Sequence, residues 1–232
     1  MSVDPQKHLE IFSPHAFGKR RVDVVGCGAV GSRVATELAR LGIENIHLWD
    51  FDSVELKNVP NQAFLPEDVG KAKVDALAAK IEEISGEKNF ATVHHMKVDG
   101  NFEAGDVVFL LVDTMADRKE IWNGALKMKL RTSLLIETRM GADSGRVYSF
   151  NPNKRSYGVA WEETLCDDSE TERSACGATV SVGPTAKALA GLAVWQLVRW
   201  FAVSQGGKDT LDHEVIFSMR PIQLLTRQFP EI

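Results

Sequence analysis

The feature that most constrains the fold is a glycine-rich turn between a short apolar run and a helical pattern. The run Val22–Val25 is rich in β-branched residues, as is typical of a buried strand. It leads into the sequence GCGAVG, which contains Gly26, Gly28 and Gly31, and apolar residues then recur at helical spacing as far as Leu41. This arrangement predicts that a nucleotide's phosphates lie on the first turn of the helix, where backbone amides and the helix dipole favour an anion.

The three glycines and a following acid have separate predicted roles. Gly26 permits a tight turn, Gly28 lets a phosphate approach the backbone, and Gly31 lets helix and strand pack closely. Asp50 follows the second predicted strand, Ile46–Trp49, where its carboxylate can accept hydrogen bonds from a ribose hydroxyl. These features serve NAD as well as ATP, so they do not by themselves choose between the two nucleotides.

Strand and helix patterns alternate along most of the chain. Three further strands are predicted, at 92–98, 107–112 and 134–137. Two further helices are predicted, at 70–84 and 118–130. The alternation predicts an α/β fold, a Rossmann-like and mostly parallel sheet with helices on both faces. Antiparallel strands are expected to extend this sheet in the C-terminal third, at 146–150, 157–161, 214–217 and 222–225.

The chain is predicted to form one domain over residues 1–232. No linker, repeat or low-complexity segment divides it, and its length suffices for one sizeable core. Residues 1–20 are expected to be a polar lead-in, and the acidic stretch 163–173 a loop. A long core helix is expected from Pro184 to about Ser204.

Composition argues against several classes of function. Lys and Arg number 27 and Asp and Glu number 32, a net charge of −5, so nothing favours nucleic-acid binding. The stretch 186–203 is apolar, but polar residues interrupt it and its length is marginal for a bilayer, so no membrane association is predicted. Cys27, Cys166 and Cys176 form no close pair, which predicts a cytoplasmic protein without a disulfide framework.

Four short motifs include or follow Asp50 in a fixed order: Asp50–Asp52, Asn58–Gln62, Asp68–Lys73 and Asp113–Arg118. Together they resemble the adenylation domain of the ubiquitin-activating-enzyme superfamily, which includes the bacterial ThiF/MoeB-type adenylyltransferases; the resemblance is clearest over residues 18–137. It implies an ATP-dependent adenylyltransferase. Such enzymes join AMP to the C-terminal carboxylate of a ubiquitin-like or sulfur-carrier protein, or of a peptide, and release pyrophosphate.

The resemblance also assigns roles to individual residues. It implies that Lys73 contacts the phosphates and that Asp113 is associated with Mg²⁺, which proteins commonly bind through one or two carboxylates together with phosphates. The implied nucleotide contacts are Gly26, Gly28, Gly31, Asp50, Asp52, Asn58, Gln62 and Lys73. No general base is needed, because a C-terminal carboxylate is already ionised at neutral pH.

One position departs from the family pattern. The usual run is Asn-x-x-Arg-Gln, whose arginine touches the ATP phosphates, but this chain has Asn61 there. Asn61 is placed in the catalytic set with Lys73 and Asp113, although an amide lacks the charge and the forked donors of a guanidinium. Either a different cation takes over, from Lys71, Arg33 or a partner subunit, or the chain has kept the fold and lost the activity.

The resemblance further predicts a homodimer whose substrate is a small ubiquitin-like protein or a peptide with a C-terminal glycine. Related homodimers insert an N-terminal arginine into the neighbouring site, and Lys7 is its counterpart here. Residues 163–173 correspond in place to the crossover loop that covers the substrate's tail. Cys166 and Cys176 are the candidates for a thioester, although acidic neighbours disfavour a thiolate at Cys166. Paired Cys-x-x-Cys motifs are absent, so no zinc is predicted.

Two alternatives to an active adenylyltransferase remain open. A catalytically inactive partner subunit with the adenylation fold would account for Asn61. An NAD-dependent oxidoreductase is compatible with the glycine turn and Asp50. That second alternative lacks a downstream catalytic His, Tyr-Lys or Cys arrangement, and it leaves the run Asn58–Lys73 unexplained.

Overall fold

The computed structural model describes residues 3–167 and 182–231. Its strands are β1 Val22–Val25, β2 Ile46–Trp49, β3 Ala91–His94, β4 Val107–Leu110, β5 Leu134–Met140, β6 Ser144–Phe150, β7 Glu214–Met219 and β8 Ile222–Arg227. Its α-helices are α1 Pro14–Phe17, α2 Gly31–Arg40, α3 Lys73–Ser85, α4 Met115–Ile121, α5 Arg155–Glu162 and α6 Gly183–Ser204. Short 3₁₀ helices span Leu56–Asn58 and Pro66–Asp68, and a π-helical turn, Trp122–Leu126, continues α4.

All eight strands form one sheet in the order β3-β2-β1-β4-β5-β6-β7-β8. The first five in this order run parallel, and β6, β7 and β8 continue the sheet antiparallel. The predicted fold class is therefore confirmed. Val25 at the end of β1 pairs in register with Trp49 on one side and Leu110 on the other. The segments after β1, β2 and β4 thus leave the sheet at one place, which we call the carboxyl edge.

Helices cover both faces of the sheet. On one face α2, α3 and α6 pack over inward side chains such as Val24, Phe109 and Ile136. On the other, Trp122 and Trp161 pack over Val108 and its neighbours. Among the described residues, α6 is the one helix whose length and composition would allow it to cross a membrane, and half of its apolar window is buried inside the protein. It has the position expected of a core helix, against β5, β6 and α2.

One predicted strand, 157–161, is wrong, because these residues lie in α5. A strand would place Tyr157, Val159 and Trp161 on one face. The structure instead buries Tyr157 and Trp161, which are four residues apart on one side of a helix, and leaves Val159 42% exposed. Alternation of apolar residues over only five positions does not separate a strand from one side of a short helix.

The third strand is shorter than predicted, since the expected run 92–98 leaves the sheet after His94. Among the described strands it pairs with β2 alone, which ends at Trp49, and Trp49 pairs with His94. A strand at the sheet edge has no further hydrogen-bonding partner beyond that point. The strand length is thus limited by the neighbouring strand and not by local composition.

Two histidines lie side by side at this edge of the sheet. His47 Nδ1 is 3.0 Å from His94 Nε2, and the His94 ring stacks on Trp49 with 3.5 Å between ring centroids. Burial and the nearby Arg21 charge lower the pKa of both imidazoles below the ordinary value. The folded protein therefore binds protons at these two positions less readily than the unfolded chain does.

We expect the free energy of unfolding to fall as the pH drops below the ordinary histidine pKa of about 6.5, because the unfolded chain then takes up protons that the native pair resists. The double variant His47→Gln/His94→Gln should have a flatter pH dependence between pH 7.5 and 5.5 in urea unfolding. Some slope should remain, since burial also lowers the pKa of His213. An unchanged slope in the double variant would contradict this account of the pair.

Candidate nucleotide-binding site

The glycine turn lies at the carboxyl edge, between the ends of β2 and β4. Gly26 N donates to Trp49 O at 2.9 Å, and Leu111 N donates to Val25 O at 2.8 Å. Gly26 has a φ of +94°, and a Cβ atom there would lie 2.7 Å from Leu111 O. The backbone at this turn therefore requires glycine, both for its left-handed conformation and for the close approach of the β4 segment.

The other two glycines differ in what surrounds them. A Cβ atom at Gly31 would lie 1.8 Å from Gly26 O, so the start of α2 packs directly on the turn. A Cβ atom at Gly28 would meet no atom within 4 Å. Internal packing therefore explains Gly26 and Gly31 but not Gly28. A phosphate that approaches the backbone at Gly28 would require such open space. The contact between Gly28 and a phosphate remains a prediction.

Asp50 ties the turn to the segment after β2. Its buried carboxylate accepts hydrogen bonds from Cys27 N at 2.7 Å and from Asp52 N at 2.8 Å, one on each oxygen. This structural role was not predicted from the sequence. Each carboxylate oxygen can accept a further hydrogen bond, so the predicted ribose contact is compatible with both. Cys27 is buried, which raises the pKa of its thiol. Its contribution to the turn is the backbone amide that donates to Asp50, for which a small side chain suffices.

Lys73 lies at the first residue of α3 and is paired with Asp52. Its Nζ lies 2.6 Å from Asp52 Oδ2, and its backbone N donates to Asp52 O at 2.9 Å. The lysine side chain is 9% exposed and the aspartate side chain 48%. The structure thus brings together two predicted nucleotide contacts, with the cation held beneath a carboxylate that reaches solvent.

The segment Asn58–Gln62 carries three predicted contacts in two kinds of environment. Asn58 Oδ1 accepts a hydrogen bond from Glu55 N at 2.9 Å, which caps a short 3₁₀ helix. In contrast, Asn61 Oδ1 and Gln62 Oε1 are buried and have no hydrogen-bonding partner within residues 3–167 and 182–231. Buried polar atoms are normally satisfied by protein, water or ligand, so these two oxygens indicate that a further group belongs here.

Asp113 follows β4 by three residues and is exposed. It leaves the sheet on the side of β1 opposite to Asp50, so the two acids flank the glycine turn. Mg²⁺ that is bound mainly by phosphates needs only one or two such carboxylates. Within residues 3–167 and 182–231, no group of three or more His, Cys, Asp or Glu side chains is arranged to hold a metal by itself. Asp113 therefore fits an ion that arrives with a nucleotide.

A buried charge cluster beside the site was not predicted. Glu137 is fully buried; Arg118 Nε lies 2.7 Å from one of its oxygens and Arg139 Nε 3.1 Å from the other. Trp161 Nε1 also donates to Glu137 at 3.1 Å. Arg118 thus has its ion-pair partner on a strand of the sheet and not on its own helix. The available signal was the acid Glu137 at the end of an apolar strand, where burial requires a cationic partner.

Arg139 of this cluster and the nearby Lys119 bind the start of the acidic loop 163–173. Arg139 donates to Thr164 O at 2.6 Å and to Thr164 Oγ1 at 2.9 Å. Lys119 Nζ donates to Cys166 O at 3.2 Å. The remainder of this loop and Cys176 lie outside the described residues. The crossover-loop and thioester hypotheses therefore remain predictions.

The fold and the glycine turn at its carboxyl edge together define a Rossmann-like α/β protein. The chain belongs to the ThiF family, whose model matches residues 15–231. The family resemblance predicted from the four motifs is confirmed.

Several relatives share part of this chain. Ubiquitin-like modifier-activating enzyme 5 of Bombyx mori is 45% identical over 67 residues, which is 29% of this chain and 17% of that protein. Its Arabidopsis thaliana counterpart is 44% identical over 64 residues, 28% of this chain and 15% of that one. The matched segments thus span under a fifth of these relatives.

Solved structures share the fold over nearly the whole chain. E. coli MccB, crystallised with ATP, superposes with a TM-score of 0.73 at 18% identity, covering 94% of this chain and 66% of MccB. PaaA gives a TM-score of 0.73 at 18% identity, covering 99% of this chain and 70% of PaaA. At this level of identity the likeness concerns the fold.

Proposed function

We propose that this protein is an ATP-dependent adenylyltransferase. It activates the C-terminal carboxylate of a ubiquitin-like or sulfur-carrier protein, or of a peptide, as an acyl-adenylate and releases pyrophosphate. The observation that carries the proposal is the meeting of separate motifs at one edge of the sheet. Lys73 and Asp52 lie in contact, Asp50 binds the glycine turn, and the space above Gly28 is open.

The relatives support the choice of ATP and of a protein or peptide acceptor. MccB has been crystallised with ATP, and with AMPCPP together with MccA. The relatives that match in sequence are named as activating enzymes of ubiquitin-like modifiers. These properties belong to those proteins, and their extension to this chain is part of the proposal.

The proposed reaction needs charge neutralisation and alignment more than proton transfer. A carboxylate oxygen forms a bond to the α-phosphorus, the bond from that phosphorus to the bridging oxygen breaks, and its electron pair leaves with pyrophosphate. No proton moves, because the carboxylate is already ionised. Lys73 and the amides at the start of α2 would stabilise negative charge on the phosphates. Asp113 would hold Mg²⁺, which screens the phosphate oxygens when bound.

A homodimer in the cytoplasm is the form in which we expect the enzyme to work. Lys7 lies in an N-terminal segment that borders the outer side of α2. It is the proposed counterpart of the arginine that related homodimers insert across their interface. Light scattering of the purified protein would measure its oligomeric state directly.

The inactive-subunit alternative rests on Asn61. Its side-chain oxygen is buried with no hydrogen-bonding partner among the described residues, and it brings no positive charge to the site. An inactive subunit predicts that the protein binds no ATP in calorimetry with Mg²⁺ present. An NAD-dependent oxidoreductase instead predicts thermal stabilisation by NAD and none by ATP with Mg²⁺.

The proposed activity is tested by ATP–pyrophosphate exchange with labelled pyrophosphate. Acceptors would be a peptide ending in Gly-Gly and a small ubiquitin-like protein with the same ending. We expect label to enter ATP with the free carboxylate and not with the C-terminally amidated peptide, because the amide cannot attack the α-phosphorus. Equal exchange with both peptides would contradict carboxylate activation.

A further inference from the structure

The basic residues of the four family motifs bring little free positive charge to the site. They are Lys71, Lys73 and Arg118, and each has a carboxylate partner. The ion pairs are with Asp68 at 3.0 Å, Asp52 at 2.6 Å and Glu137 at 2.7 Å, respectively. Both the nucleotide and the acceptor carboxylate are anions, so stabilising the departing pyrophosphate calls for a cation that is not already neutralised.

Arg33, in the first turn of α2, is such a cation. Burial lowers its guanidinium pKa, and no described carboxylate forms an ion pair with it. Its Nε is buried and finds no hydrogen-bonding partner in the part of the chain that the structure describes. Its Nη2 lies 3.3 Å from Asn61 O and 3.5 Å from Gln62 O. A half-buried cation that meets only carbonyl groups is costly unless an anion joins it.

The guanidinium lies against the segment where the family arginine is missing. A Cβ atom at Gly183, the first residue of α6, would lie 2.9 Å from Pro60 O and 3.8 Å from Arg33 Nη2. Residues 60–62 and the guanidinium are thus packed together between α2 and α6. Beside them, Asn61 Oδ1 and Gln62 Oε1 are the unpartnered oxygens described above.

Arg33 also has room to move. It borders a cavity of about 500 Å³ between the N-terminal segment, α2 and α6. Apolar residues such as Phe12 and Val198 line much of it, and the other charged residues in its lining are Lys7, Glu37 and Lys187. Because its hydrogen bonds are long and one side is open, the guanidinium can shift by a rotamer change without breaking a packed core.

We propose that Arg33 supplies the positive charge that Asn61 lacks, by contacting the β- and γ-phosphates of ATP across the Asn61–Gln62 segment. In this role it is a catalytic residue that stabilises the pyrophosphate as the bond to the α-phosphorus breaks. The inference rests on the proposed function. Lys71 does not fit the role, since it is 53% exposed and its charge is matched by Asp68.

The test compares Arg33→Gln, Arg33→Lys and Arg33→Gln/Asn61→Arg with the unchanged protein. Arg40→Gln is the matched control, because Arg40 is on the same helix but exposed and paired with Glu37. Calorimetry would measure the affinities for ATP and AMP with Mg²⁺, and exchange assays the rate. AMP lacks the β- and γ-phosphates, so the ratio of the two affinities isolates the proposed contact from general damage to the site.

We expect Arg33→Gln to lower exchange by about 10²-fold and to reduce the ATP-over-AMP preference by about tenfold, as for loss of one charged contact to a developing anion. Arg33→Lys should have an exchange rate and an ATP-over-AMP preference between those of the unchanged protein and of Arg33→Gln. In the double variant, Asn61→Arg should restore both values to within about threefold of the unchanged protein. Arg40→Gln should change neither. If Arg33→Gln does not fold, the ATP-over-AMP preference of Arg33→Lys decides the matter, because that variant keeps a charged side chain of similar length.

An unchanged ATP-over-AMP preference in the Arg33 variants would overturn the assignment, whether both affinities stay the same or both fall by the same factor. Failure of the proposed function appears differently. If the unchanged protein binds ATP but catalyses no exchange, the function fails, and the affinity ratio still decides the role of Arg33. If the unchanged protein binds no ATP, both fail.

Discussion

Replacing Lys73 by methionine, or Asp113 by asparagine, is expected to lower ATP–pyrophosphate exchange by about 10²–10³-fold each, because both groups act on charge that develops at the phosphates. Neither change should unfold the protein. The Asp52 carboxylate left behind by Lys73→Met is 48% exposed and stays hydrated, and Asp113 is itself exposed. Initial exchange rates and urea unfolding would be measured on the same samples.

Lys71→Met provides the matched control for this experiment. Lys71 lies two residues before Lys73 in the same motif, but its side chain is mostly exposed and pairs with Asp68. The Asp68 side chain is only 10% exposed, but Lys80 Nζ also lies 3.9 Å from it and remains as a cationic partner. Loss of Lys71 should therefore cost about 1 kcal/mol and leave exchange nearly unchanged. Exchange that survives both Lys73→Met and Asp113→Asn would show that these two residues are not in the catalytic site.

The second large effect concerns the two glycines at the start of α2. Gly31→Ala should destabilise the fold by about 3 kcal/mol or more, since its Cβ would lie 1.8 Å from Gly26 O and backbone must move to admit it. Gly28→Ala, whose Cβ meets open space, should change the free energy of unfolding by less than about 1 kcal/mol. It should weaken ATP binding by about tenfold, equivalent to about 1.4 kcal/mol.

This pair of variants separates packing from ligand approach. Urea unfolding measures the first effect, and calorimetry with ATP and Mg²⁺ measures the second. Recovery of Gly31→Ala only as aggregated protein would agree with the expected loss of stability. Full ATP affinity in Gly28→Ala would remove the reason for placing phosphates on this turn.

The sequence predicted the parallel half of the sheet well because its signals are local. The run Val22–Val25 was predicted and observed with the same bounds, and so was Ile46–Trp49. Each is a short run of mostly β-branched, aliphatic or aromatic residues with one polar residue, Asp23 or His47, and such runs are typical of strands covered by helices. The end of β3 and the helical state of 157–161 depend instead on neighbouring elements, which no local pattern contains.

The sequence predicted which residues lie together in the site, but not which of them contact one another. The motifs placed Lys73, Asp50 and Asp52 in one region because the segments that follow parallel strands share an edge. That Asp50 binds the Cys27 amide at 2.7 Å, or that Lys73 pairs with Asp52 at 2.6 Å, depends on side-chain geometry. The spacing of residues along the sequence does not determine contacts at that level of detail.

Asn61 shows the limit most clearly. The sequence shows that an arginine is missing and leaves Lys71, Arg33 and a partner subunit as substitutes. Only the structure reports that Lys71 is paired with Asp68, whereas Arg33 lies beside the backbone of Asn61 without a carboxylate. The balance of charge in a site is a property of three-dimensional neighbours, so it could not be settled from the order of residues.

The central claim, attack of a carboxylate on the α-phosphorus of ATP, is tested most directly by isotope transfer. A Gly-Gly peptide labelled with oxygen-18 in its C-terminal carboxylate would be incubated with the protein, ATP and Mg²⁺, and the acyl-adenylate then cleaved at its carbonyl carbon by hydroxylamine. The account predicts that the released AMP carries one oxygen-18 atom from the peptide. AMP without peptide-derived label, or ADP as the only nucleotide product, would contradict it.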